Sequence, residues 1–65
     1  MKRFSYSTSD FQEVPKVDAF LSDIGDVCIK HGLSISHEEI HGGFVIQVMS
    51  DYNIEWLLAA IDDTK

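Results

Sequence analysis

A small α+β domain is the fold class this sequence predicts: helix, antiparallel β-hairpin, helix, with residues 1–9 as either a short edge strand or a loose tail. Three observations predict it. Apolar residues recur every three or four positions from Val17 to Cys28. Between Leu33 and Met49 the period drops to two and β-forming residues accumulate. After Asn53 the helical period returns, with Ile54, Leu57, Leu58 and Ile61 as its apolar positions. A chain of 65 residues accommodates one domain, 1–65.

Phe4, Tyr6 and Thr8 alternate at the N-terminus, a pattern too short to choose between strand and tail. Asp10 followed by Glu13 fits a capping box and extends the first helix back to Asp10, ending at His31. Pro15 offers a second start, since proline suits the first helical position. Val17, Phe20, Leu21, Ile24, Val27 and Cys28 form one apolar stripe. Asp18, Ser22, Asp23, Asp26 and Lys30 form the wet face. Gly25 marks either a close approach of another backbone or a tolerated cost of about 1 kcal/mol against alanine. Gly32, just past a basic last turn, stops the helix.

Leu33, Ile35 and His37 alternate with serines as a strand would. Gly43–Met49 is apolar on both faces, which predicts that both are covered. The segment between them, His37 to Gly43, reads as a loop joining antiparallel strands. The second helix spans Asn53 to Ile61, with Ser50, Asp51 or Asn53 as its cap. Trp56 and Ala60 lie beside its buried stripe, and Asp62-Asp63 oppose the dipole at its C-terminus.

Composition narrows function by exclusion. Eleven acidic against five basic residues give a net charge of −6, which argues against nucleic acid as a partner. No apolar run approaches a membrane span, and no signal peptide follows Met1-Lys2-Arg3. A single cysteine, Cys28, makes no internal disulfide; it reads as an inert thiol on the apolar stripe of a soluble intracellular protein. A domain this small buries only about 60% of its unfolded surface. A homo-oligomer, a dimer first, is therefore expected, through an open sheet edge or the spare apolar face of the second strand.

His37-Glu38-Glu39-Ile40-His41 matches H-E-x-x-H, in which two histidines on one helix face hold zinc and the glutamate acts as base. Glu55 is the nearby downstream candidate for a third ligand. Gly32 before the motif and Gly42-Gly43 after it leave little room for the required helix. A metal-dependent hydrolase, or a non-catalytic site using His31, His37 and His41, is therefore the minor reading. No metal and no cofactor is expected.

The stretch His31-Gly32-Leu33-Ser34-Ile35-Ser36-His37-Glu38, followed by His41-Gly42-Gly43-Phe44-Val45-Ile46, resembles a pattern in short phage and prophage proteins of unassigned function. In those a helix ends in Lys-His-Gly, and a Ser-Ile-Ser-His-Glu-Asp-x-His-Gly-Ala-Phe segment follows. An acidic stretch and an Asn-Ile-Glu-Trp-Leu helix come last, as Asn53-Ile54-Glu55-Trp56-Leu57 does here. The likeness runs from about Val17 to Ala60. Glu39-Ile40 stand where Asp and its neighbour are usual, and Gly43 replaces Ala. The resemblance implies a phage-encoded protein acting in the cytoplasm of an infected bacterial host, and it brings no known activity.

Together these readings predict a protein without catalytic activity that binds a host component, as an inhibitor of a defence or housekeeping system. The partner is a host protein or, alternatively, a small ligand held between subunits. The expected binding residues are His37, Glu38, His41, Gly42, Gly43 and Trp56. His41, beside two glycines that permit close backbone approach, is expected to face the partner, and His37 to be partly shielded by Leu33 and Ile35. Trp56 with Tyr52 reads either as an interface anchor or, equally, as a core tryptophan of a small domain. The acidic surplus, with Asp18, Ser22 and Asp26 on one helix face, gives either a solvated surface or one that engages a basic host protein, including as a DNA mimic.

Overall fold

Two short runs of extended backbone pair before the first helix begins. The computed structural model describes residues 1–64. Its elements in order are β1 (Lys2–Ser5), β2 (Asp10–Glu13), α1 (Pro15–His31), β3 (Leu33–His37), β4 (Phe44–Val48) and α2 (Asp51–Leu58). The fold is α+β, with two antiparallel hairpins where the sequence predicts one. β1 and β2 pair in the register Lys2↔Glu13 to Ser5↔Asp10 around a turn at residues 6–9. In that turn Ser9 takes a left-handed φ of 52°. Phe4 meets Tyr6 and Phe11 edge-on, with ring centroids 5.8 and 5.6 Å apart.

The Asp10–Glu13 capping box does not form, because both residues end a strand. The Asp10 carboxylate accepts the N–H of Phe11 at 2.7 Å instead. Helix α1 starts at Pro15, which lacks one of the donors that a helix N-terminus leaves unpaired. It ends at Gly32 in the left-handed region (φ 68°, ψ 26°), whose N–H bonds the last turn. Of the predicted stripe, Leu21 and Cys28 are buried and Val17 and Ile24 half-buried, while Phe20 and Val27 stay exposed. α1 packs against α2 and β3, and it meets the first hairpin through Asp18, whose carboxylate accepts from Arg3 of β1. Gly25 is buried against α2; a Cβ there would lie 3.9 Å from Leu58 Cδ2.

β3 and β4 pair in the register Leu33↔Val48, Ile35↔Ile46, His37↔Phe44. Both helices pack on β3, and among the described residues β4 has no backbone neighbour except β3. All five β4 residues are therefore exposed, which corrects the expectation that both its faces are covered. α2 is capped by Ser50, whose hydroxyl accepts the N–H of Asn53 at 3.4 Å. It ends at Leu58, short of Ile61, which is exposed.

The reason α2 ends early lies at the other end of the chain. Asp62 adds to β1 as a parallel bridge: its N–H donates to Phe4 C=O and its C=O accepts from Tyr6 N–H, both at 2.9 Å. Pairing requires extended backbone there, so Asp62 is not a helix C-terminal charge. It is buried, as are Arg3 and Ser5 of β1. Ser5 Oγ donates to Asp62 Oδ2 at 2.6 Å. The Arg3 guanidinium donates to Ala60 C=O at 2.8 Å and, through Nε and Nη2, to Asp18 Oδ1 on α1. The first hairpin is thus fastened to the body by a buried polar joint.

Candidate functional site

The loop from residue 38 to 43 folds on itself. Glu38 N–H donates to Gly43 C=O at 2.8 Å, closing the hairpin. The Glu38 carboxylate then accepts the N–H groups of Ile40 (2.7 Å) and His41 (2.8 Å) and lies 3.2 Å from His41 Nδ1. A carboxylate receiving two backbone donors is occupied in holding the turn. Gly42, at φ 68°, supplies the left-handed step. His37 ends β3 and His41 lies in the turn, so the two share no helix face and the i, i+4 geometry of H-E-x-x-H is not made. Among the described residues no three His, Cys, Asp or Glu side chains converge as metal ligands.

A cleft of about 480 Å³ opens between this hairpin and α2. Residues Ile35, Ser36 and His37 of β3 and Phe44 of β4 form one side. Tyr52, Asn53, Trp56 and Leu57 of α2 form the other, with Glu39 and Ala60 at its margins. His37 and Phe44, partners across the ladder, meet edge-on at 5.6 Å. Tyr52 and Trp56 are one helical turn apart and therefore share a side of α2, their rings 6.0 Å apart. Phe44 is 78% exposed, Trp56 67% and Tyr52 66%, so the aromatic walls are open to solvent.

One buried hydroxyl fixes the two sides relative to each other. Ser34 Oγ donates to Val48 C=O at 2.9 Å and accepts from Asn53 Nδ2 at 3.0 Å. Asn53 also donates to Gln47 Oε1 at 3.0 Å. β3, β4 and α2 are pinned at one point, one turn of α2 from Trp56.

The six expected binding residues separate. His37 and Trp56 come together across the cleft, and His37 is exposed, not shielded by Leu33 and Ile35. Glu38 serves the loop, while His41, Gly42 and Gly43 lie outside the cleft walls. The sequence reading missed Phe44 and Asn53 as cleft residues. The four-residue spacing of Tyr52 and Trp56 was the legible signal for the α2 side. Nothing local marks Phe44, whose role follows from its pairing with His37. The acidic residues also divide. The Asp18 carboxyl is held below the usual carboxylate range by its hydrogen bonds from Arg3. That of Asp62 is lowered by bonds from Ser5 Oγ and then from Thr64. Neither belongs to a free acidic face.

Fold and site together define a small α+β module with an open aromatic cleft between a hairpin and a helix. No family model, curated protein or solved structure matches the chain. No described helix is long and apolar enough to cross a membrane.

Proposed function

We propose that this chain is a non-catalytic binding protein that engages a host component through the cleft between the second hairpin and α2. The setting is that of the phage proteins it resembles: the cytoplasm of an infected bacterium, with inhibition of a defence or housekeeping system as the outcome. One observation carries the reading. Phe44, Tyr52 and Trp56 converge on one cleft while each keeps about two-thirds or more of its surface in water. Leaving three large rings wet has a cost in the free protein that burial by a partner recovers, and aromatic side chains dominate binding hot spots. His37, Ser36 and Asn53 add a few polar groups to an apolar wall, the usual composition of a specific site.

A second reading has its own observation in support. The cleft volume of about 480 Å³ falls within the range of roughly 300–1,000 Å³ typical of small-molecule sites, which suits a sequestered ligand.

Trp56 is the sole tryptophan, so 5-fluorotryptophan incorporated there gives one ¹⁹F resonance that reports occupancy of the cleft. Host-cell extract divided by ultrafiltration into macromolecular and small-molecule fractions is titrated against the purified chain. The expected result is a shift or broadening of that resonance with the macromolecular fraction that is lost in Phe44→Ala. A shift with the small-molecule fraction alone selects the sequestering reading. No shift with either fraction contradicts both.

A further inference from the structure

β4 has one paired edge and one free edge, and the hydrogen bonds identify the groups on each. Met49 N–H donates to Gly32 C=O and Glu38 N–H to Gly43 C=O, at 2.9 and 2.8 Å. Antiparallel alternation then turns the backbone groups of Val45 and Gln47 toward β3 and those of Phe44, Ile46 and Val48 away. The free edge presents N–H and C=O of Phe44 and Ile46 and the N–H of Val48. The Val48 carbonyl already accepts the Ser34 hydroxyl. Side chains of the same residues are also wet, Ile46 at 61% and Val48 at 78% exposure. They continue an apolar face with Leu33 and Ile35. β4 carries no charge and no proline, and its register is unbroken. It therefore lacks the usual devices that keep a strand edge from pairing.

The whole molecule shows a matching surplus. Its accessible surface is 5024 Å², against about 4,200 Å² for a compact monomer of this mass. The excess, on the order of 800 Å², equals one partner's share of a standard protein interface. The radius of gyration is 12.5 Å, against about 10.7 Å for a compact chain of this length.

We infer that a second copy of this chain covers the β4 edge, the two strands pairing antiparallel about a twofold axis at Ile46. In that register β4 is complementary to itself: Ile46 faces Ile46, Phe44 faces Val48, and Val45 faces Gln47. Ile46 exchanges a pair of N–H to C=O bonds with its counterpart. Val48 N–H donates to Phe44 C=O in both directions. All four bonds use groups that the single chain leaves free. With a net charge of −6, two copies repel across most of their surfaces, and an uncharged strand is where they approach at least cost. The contact is isologous and closes at two chains. It uses the backbone of Phe44, whose ring lines the cleft.

The test uses the charge pair that a twofold axis creates. Wild type, Ile46→Glu and Ile46→Lys are run separately by sedimentation velocity across the micromolar range, then the two variants are mixed in equal amounts. Circular dichroism checks that each is folded. The expected result is a dimer for wild type, a monomer for each variant, and recovery of the dimer mass in the mixture. A wild type that is monomeric throughout, variants that dimerise as wild type does, or a mixture that stays monomeric would each overturn the proposal. Ile46→Pro gives a second arm that leaves the hairpin ladder intact, since the Ile46 N–H does not point toward β3. It is expected to be a folded monomer, and a dimeric Ile46→Pro also overturns the inference.

Discussion

Arg3 and Asp62 lie 59 positions apart in the chain and close the same joint. Neither residue advertises this locally: Arg3 reads as part of a basic start and Asp62 as a misplaced charge after a helix. Their meeting at one joint depends on which strand the C-terminal segment reaches, and short-range pattern holds no record of that. The joint predicts an acid response of definite sign. Asp18 and Asp62 have folded-state pKa values below the ordinary range. Their contribution is therefore fully present above the unfolded value of about 3.9 and is lost as pH falls through the folded values. The thermal midpoint should stay level from pH 7 to about 5 and fall below about 4. Asp62→Asn should start lower at pH 7 and show a shallower acid limb; a limb identical to wild type would show that Asp62 takes no part. Arg3→Ala, which leaves the Asp18 carboxylate and Ala60 carbonyl without their shared donor, should lower the midpoint by at least about 5 °C. Ser34 is a second single-residue joint. Ser34→Ala removes two hydrogen bonds and should cost about 1–2 kcal/mol in urea unfolding, with the α2 side of the cleft loosened as judged by faster exchange of the Asn53 and Ile54 amides.

At the scale of elements, the sequence was most legible where one period persisted. α1 from Pro15, its stop at Gly32, β3, the loop and the body of α2 are all visible in the order of apolar residues and breakers. β2 was not, because Asp10 and Glu13 imitate a cap and a four-residue strand shows too little alternation to compete with it. The burial of β4 was misjudged for a different reason. An apolar run on both faces indicates a covering element, and none of the described elements takes that place. Half of the site was readable for the same mixture of reasons: His37 and Trp56 were singled out from the sequence, whereas Phe44 joins them only through the hairpin register. Gly25, on the buried side of α1, offers a direct test of the helix packing. A methyl group there meets Leu58 at ordinary contact distance. Gly25→Ala should therefore stabilise the protein by about 1 kcal/mol through helix propensity. A loss of stability would mean that α1 and α2 approach more closely than this. His41 belongs to a loop held by Glu38. His41→Ala should leave stability within about 0.5 kcal/mol and weaken target binding less than His37→Ala does.

The whole molecule buries little apolar surface, with Leu21 and Cys28 its buried apolar side chains among the described residues. Polar joints at its ends and a serine at its centre supplement that core, and the apolar surface left over is grouped in two places. One is the β4 edge, which a second copy fits. The other is the cleft, whose rings are proposed to meet a host component. The most direct measurement is a ¹H–¹⁵N correlation spectrum of the labelled chain with and without the host fraction that shifts the Trp56 ¹⁹F resonance. The account predicts that the perturbed amides cluster at His37, Phe44, Tyr52 and Trp56 and spare Phe4 to Phe11. Perturbation confined to the first hairpin, or to His41, Gly42 and Gly43 with α2 unchanged, would contradict it.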